Sequence, residues 1–203
     1  MKTLCTNPEI DSALMECDAA LGGLIHRLGP IRIQLSGDAF TALASSIVAQ
    51  QLSARVADVI WARIVALTGG AVTPEGLLAL EEDALRGAGL SGAKARYARA
   101  LAEAVRSGTL PLDELSFMDD EEIIRSLTAV KGIGRWTAEM FLIFSLGRPD
   151  IFSCGDGGLQ RAFRWLYGHE PEKDALLRVS SAWAPYRTYA SLYLWEALNQ
   201  KLV

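Results

Sequence analysis

LTAVKGIGRWTAEMF, residues 127–141, is the stretch that decides how this chain of 203 residues folds. A short helix with an acidic start meets the turn VKGIG and passes into an amphipathic helix. Gly132 and Gly134 flank Ile133, so the backbone can bend sharply and approach another molecule with no Cβ in the way, while Ile133 anchors the corner. Gly134 stands at the entrance of the second helix, where N–H groups without intrahelical partners and the positive end of the dipole favour a phosphate. A second reading stays open here, because corners between helices in any all-α protein use glycine.

Outward from this corner the apolar residues recur at three- and four-residue steps, and no sustained alternation argues for a sheet. The fold class is therefore all-α. The spacing predicts helices over residues 9–28, 39–50, 53–67, 74–80, 82–88, 91–106, 119–126, 135–146, 159–167, 173–183 and 185–201. Thr73 before Pro74 reads as an N-cap, Ser91 as another, and Gly108 as a helix stop. Residues 30–38, PIRIQLSGD, carry some strand-like alternation and are expected as an extended lead-in. The length suits one core or two small lobes sharing a cleft, with no Ser/Gly/Pro-rich linker between them. Trp61, Trp165 and Trp183 read as core residues.

Half of the residues are hydrophobic and 22% charged, which fits a globular protein and excludes disorder and fibrous repeats. Only Cys5, Cys17 and Cys154 are present, at unrelated spacings, so neither a disulfide framework nor a four-cysteine metal site or iron–sulfur cluster is expected. The start, MKTLCTNPEIDSALMECD, has no apolar run like a signal peptide, and residues 140–146 are too short to span a bilayer. These features predict a soluble intracellular protein, cytoplasmic and nucleoid-associated if bacterial.

Three further segments join the corner: AQQL at Ala49–Leu52, DIFSCGDGGLQ at Asp150–Gln160 and WAPYRTYASLYLW at Trp183–Trp195. Together these motifs are similar to those of the helix-hairpin-helix DNA glycosylases, and within them the chain resembles the 3-methyladenine DNA glycosylase II group, which excises alkylated bases. The match covers roughly residues 39–197. The resemblance implies a two-lobed helical fold with the active cleft between lobes, approximately residues 30–110 and 111–203, with residues 1–29 packing across. It also implies a single minimal unit without the N-terminal β domain of larger relatives, acting as a monomer on double-stranded DNA that contains damaged bases.

By resemblance Asp156 is the catalytic carboxylate. Breaking an N-glycosidic bond builds positive charge on the sugar, which a carboxylate beside it stabilises while orienting water. A cationic base such as 3-methyladenine or 7-methylguanine leaves without a strong general acid, which fits a chain with only two histidines. An Asp just before a helix is also an ordinary N-cap, and the two roles are compatible. Trp136 stands where glycosylases with lyase activity carry an amine nucleophile, so a monofunctional hydrolase without lyase activity is expected. Trp136 and Trp195 would line the pocket for the flipped base and attract its charge through their indole faces.

Met140 and Gly157 replace aromatic residues of the family pattern, which implies a roomier pocket and tolerance of bulkier lesions such as ethenoadenine. Leu52 matches the wedge that fills the gap left by a flipped nucleotide, with Gln51 contacting neighbouring bases, although Leu52 could instead pack in a seam between lobes. The main-chain carbonyls of Thr128, Val130 and Ile133 match positions that hold a monovalent cation, Na or K, against a DNA phosphate. No other cofactor is required. Lys131, Arg135 and Thr137 could add phosphate contacts, or, for the two cations, simply be solvated. Two competing readings are a non-catalytic helix-hairpin-helix DNA-binding protein and a helical interaction domain built on the Trp-rich C-terminus. An iron–sulfur glycosylase is disfavoured by the cysteine count.

Twenty basic and 24 acidic residues give a net charge of -4, which at first argues against a DNA partner. Its distribution argues otherwise. Residues 86–106 carry five bases and one acid, and residues 125–164 six bases and three acids, whereas residues 113–122 carry six acids. Few phosphate contacts and modest non-specific affinity are expected.

Overall fold

The computed structural model describes residues 2–170 and 172–203, and several of its helices begin where capping side chains stand. Asn7 caps α1 (Pro8–Cys17), Asp18 caps α2 (Ala19–Leu28) and Asp38 caps α3 (Ala39–Ala49), each accepting a backbone N–H three residues on. α4 (Ala54–Leu67) follows, then α5 (Pro74–Ala79) capped by Thr73, α6 (Glu82–Gly87) and α7 (Gly92–Arg106) capped by Ser91. α8 (Asp120–Thr128) starts on a capping box in which Asp119 and Glu122 each bond the other's backbone N–H. α9 (Arg135–Phe141), α10 (Gly157–Tyr167), α11 (Lys173–Ser181) and α12 (Arg187–Asn199) complete the twelve α-helices among the described residues.

The all-α class holds, with three local differences. Residues 9–28 form two helices instead of one, because Asp18 adopts extended backbone angles and turns its carboxylate inward. There Oδ1 caps Leu21, while Oδ2 accepts from Tyr167 Oη at 2.6 Å and Trp183 Nε1 at 2.9 Å. The helix expected over 135–146 ends at Phe141 and continues as a π-helical turn over Leu142–Leu146. Part of the expected lead-in is a strand: β2 (Arg32–Gln34) pairs antiparallel with β1 (Thr3–Cys5), Leu4 opposite Ile33.

The chain divides into two compact units, Ser36–Phe141 and Met1–Leu35 with Leu142–Val203. This corrects the expected division near residue 110. α8 and α9 belong with α3–α7, because the Gln50 side chain bonds the hairpin and Tyr97 of α7 packs under it. Residues 1–35 belong with the C-terminal helices, tied to them through Asp18. In the first unit the alanine face of α7, Ala95, Ala98 and Ala102, is buried and lets α3 and α5 approach closely. In the second, Leu14, Leu21, Leu159, Trp183, Tyr193 and Leu194 form the core, each large side chain contributing about 1.5–3 kcal/mol by burial. Trp183 is thus a core residue as expected, Trp61 is half-buried, and Trp165 is 37% exposed, so the core reading fails for it. No helix among the described residues is long and apolar enough to cross a membrane.

Candidate active site

In the unit containing the C-terminal helices, the segment 148–156 is stapled to the start of α12. Arg187 grips Asp150 through Nε and Nη2 at 2.7 and 2.8 Å. Burial alone would raise the Asp150 carboxyl, but the guanidinium overrides it and holds the group below its ordinary value. Thr188 Oγ1 accepts from Ile151 N at 3.0 Å and donates to Arg148 O at 2.7 Å. Gln160 Nε2 ties down the Cys154 carbonyl from the far side. The product of this bracing is a fixed Asp156.

Asp156 is 9% exposed and caps α10, its Oδ1 accepting the Leu159 N–H at 2.7 Å and the Trp195 indole N–H at 3.0 Å. The N-cap expected for this Asp is therefore present. Trp195 packs its ring against Phe144 of the π-helical turn, centroids 5.5 Å apart. The sequence predicts for Trp195 only a pocket wall, yet its N–H orients the carboxylate. Gly158 is needed for the same geometry, since a Cβ there would lie 2.9 Å from Asp156 Oδ1 and 3.4 Å from Trp195. At Gly157 the nearest atom to a Cβ is Arg161 Nη1 at 3.7 Å, so a larger side chain has room.

In the other unit, α8 and α9 meet at the glycine corner, with Leu127, Val130 and Ile133 buried beneath it. Its two glycines have different causes. Gly132 has φ +98°, and a Cβ would sit 2.3 Å from Tyr97 Cγ, so the fold itself demands glycine. Gly134 has nothing within 4 Å of a Cβ position and is exposed, as a surface that accepts another molecule would be. The Val130 carbonyl accepts the Ile133 N–H across the turn. Lys131 and Trp136 are exposed, Trp136 by 47%, and Met140 is half-buried. Leu52 is 38% exposed beside Gln51 on the turn after α3.

Two expected phosphate contacts find other employment. Arg135 bonds both Glu121 and Glu139, tying α9 to the start of α8, and these carboxylates raise the guanidinium's already high pKa. Thr137 is 5% exposed, with its side chain turned into the unit. The basic stretch 86–106 is likewise largely spent inside the fold: Lys94 donates to Val48 and Gln50 carbonyls, Arg99 to those of Leu78 and Leu80. Arg86 and Arg96 pair with Asp83 and Glu82 at the surface. Sequence reading missed Gln50, Lys94, Tyr97 and Gly158. The doubled Gln-Gln and Gly-Gly were the visible signals for Gln50 and Gly158, while nothing local marked Tyr97 or Lys94.

A family model described as HhH-GPD superfamily base excision DNA repair protein matches residues 44–185. The crystal structure of a DNA-3-methyladenine glycosidase from Bacillus halodurans is 44% identical and superposes with a TM-score of 0.88, covering 97% of this chain and 92% of that one. A Schizosaccharomyces pombe 3-methyladenine DNA glycosylase in complex with abasic DNA is 32% identical at TM-score 0.85, covering 94% and 97%. A Bacillus subtilis relative is 41% identical over 128 residues, a match that spans 45% of its length. On the family match and the two structural likenesses, which cover nearly all of both chains, the chain belongs to the HhH-GPD superfamily of base excision DNA repair proteins.

Proposed function

We propose that this protein is a monofunctional DNA glycosylase that flips alkylated bases out of double-stranded DNA and hydrolyses their N-glycosidic bonds. The observation that carries this is Asp156, a carboxylate held by two N–H donors on one oxygen at the start of α10. In the mechanism the C1′–N bond lengthens, positive charge grows on the sugar, and Asp156 stabilises it and orients the incoming water. The water's oxygen bonds C1′, its proton leaves to solvent, and the alkylated base departs with the bonding electrons. A base already cationic needs no protonation to leave.

The half-exposed indole of Trp136 offers a face to such a base, a contact worth on the order of 1–2 kcal/mol when desolvated. Because a tryptophan stands there, no amine is placed for a Schiff base. Leu52 fills the duplex after extrusion, and Gln51, Lys131 and the Gly134 backbone meet the DNA. Val130 O keeps a second lone pair beside its turn bond, which suits a monovalent cation shared with Thr128 and Ile133 carbonyls. Gly157 and Met140, which carry no aromatic ring, suit etheno adducts as well as methylated purines. We place the protein as a monomer in the compartment that holds the DNA.

The test is incubation with duplexes carrying methylated, etheno or deaminated bases. Abasic sites that require alkali for strand cleavage are expected at alkylated bases, with no borohydride-trapped adduct. Release of none of these bases contradicts the activity, and a covalent adduct formed at the turnover rate contradicts the monofunctional assignment.

A further inference from the structure

The turn that presents Gln51 and Leu52 has an unusual backbone for its sequence. Gln50 sits at φ -49°, ψ 129° and Gln51 at φ 57°, and the Leu52 N–H closes on the Ala49 carbonyl at 3.1 Å. This is a type II turn with glutamine in the position that favours glycine. A left-handed backbone is unfavourable for an ordinary L-residue, so it persists only where surrounding contacts hold it.

Those contacts come from distant segments of the same compact unit. The Gln50 side-chain Nε2 donates to the Gly132 carbonyl at 2.9 Å, reaching 82 residues along the chain to the glycine corner. Lys94 Nζ, from the first turn of α7, donates to the carbonyls of Val48 and Gln50, the open C-terminal end of α3. Residue 50 is thus held at both its side chain and its backbone. Burial pushes the Lys94 ammonium below its usual pKa, as a cation withdrawn from solvent to serve internal carbonyls would be. Tyr97, one turn beyond Lys94, packs against Gly132 and braces the other side of the corner.

We infer that Gln50 and Lys94 are positioning residues that lock the Gln51–Leu52 turn to the glycine corner, so that the inserting side chain and the phosphate-facing backbone act as one rigid unit during base extrusion. The inference rests on the base-flipping reading above. A wedge holds a duplex open only if its own backbone does not yield, and ordering a residue at the moment of insertion costs conformational entropy. The lock meets that cost at folding. Gln50 and Lys94 touch neither the base nor the sugar in this assignment; they act through Leu52.

This gives a distinction that a general loss of fold or of chemistry would not produce. Extrusion is cheapest when the base is already poorly stacked or unpaired. Single-turnover release of 7-methylguanine is measured for wild type, Gln50→Met and Lys94→Met, with the lesion either opposite cytosine or opposite an abasic-site analogue. Both variants are expected to slow release opposite cytosine by about tenfold, the factor that about 1.4 kcal/mol carries, and by less than about threefold opposite the analogue, with unfolding midpoints recorded alongside. Equal slowing on the two duplexes, or wild-type rates on both, overturns the lock alone. A wild type that releases no base from either duplex overturns the glycosylase reading and this inference with it.

Discussion

Replacing the two glycines of the corner one at a time separates what the fold needs from what DNA needs. In Gly132→Ala the new residue must hold φ +98°, a backbone region costing an L-residue about 1–2 kcal/mol. Its Cβ would also lie 2.3 Å from Tyr97 Cγ and 2.6 Å from Tyr97 Cβ and Cδ2. Those atoms are the root of the side chain and its ring, so Tyr97 or the corner must move, an overpacking cost of about 1–3 kcal/mol. The two together predict a loss of about 2–5 kcal/mol. For a chain of 203 residues, where each kcal/mol moves Tm by about 2–4 °C, this is a fall of about 4–20 °C. Gly134→Ala meets nothing within 4 Å and has no left-handed φ, so its Tm should hold or rise by an equivalent of about 0.4–1 kcal/mol. On the proposed contact of this backbone with DNA, the added methyl should lower affinity for duplex DNA by about tenfold, roughly 1.4 kcal/mol. Thermal unfolding and fluorescence anisotropy read the two quantities independently. Wild-type stability for Gly132→Ala, or wild-type DNA affinity for Gly134→Ala, refutes the division of labour.

Trp195→Phe keeps a ring against Phe144 but removes the indole N–H from Asp156; urea denaturation should show a loss of about 1–3 kcal/mol and excision should slow, whereas unchanged stability would make Trp195 only a wall. The Asp150 carboxyl lies below its ordinary value of 3.8 in the folded state, so its contribution is full above that pH and disappears as pH falls through the lowered folded value. The urea midpoint of Arg187→Met should therefore lie below wild type at neutral pH and converge on it in stronger acid; a gap constant down to pH ~2 excludes the ion pair as the cause. Gly157→Tyr, which fills the space bordered by Arg161, should reduce release of ethenoadenine more than release of 7-methylguanine, and equal effects on both would show that position 157 does not set the size limit.

The helices and the corner were legible because their signals are local. Thr73 and Ser91 lie next to the starts they cap, and the glycine corner carries its turn in five residues. The capping role of Asp156 was legible by its place before α10. What could not be read is what reaches across the chain. Asp18 breaks a long helical pattern because Tyr167 and Trp183, 149 and 165 residues away, supply donors to its carboxylate. Arg135 looked like a cation available to phosphate, and residues 86–106 like a basic stretch, since a one-dimensional charge count does not show Glu121, Glu139 or the open carbonyls of α3. The short pairing of β1 with β2 was hidden for the same reason: three residues on each side carry no sustained alternation, and the partners lie far apart along the chain.

Asp156→Asn tests the central claim most directly. The amide oxygen can still accept from Leu159 and Trp195, so the cap and the orientation survive while the charge is removed. Single-turnover release of 7-methylguanine should fall by about 10²–10³-fold, with the unfolding midpoint and the affinity for abasic-site DNA close to wild type. An Asp156→Asn variant that releases the base at the wild-type rate would show that this carboxylate is a helix cap and nothing more.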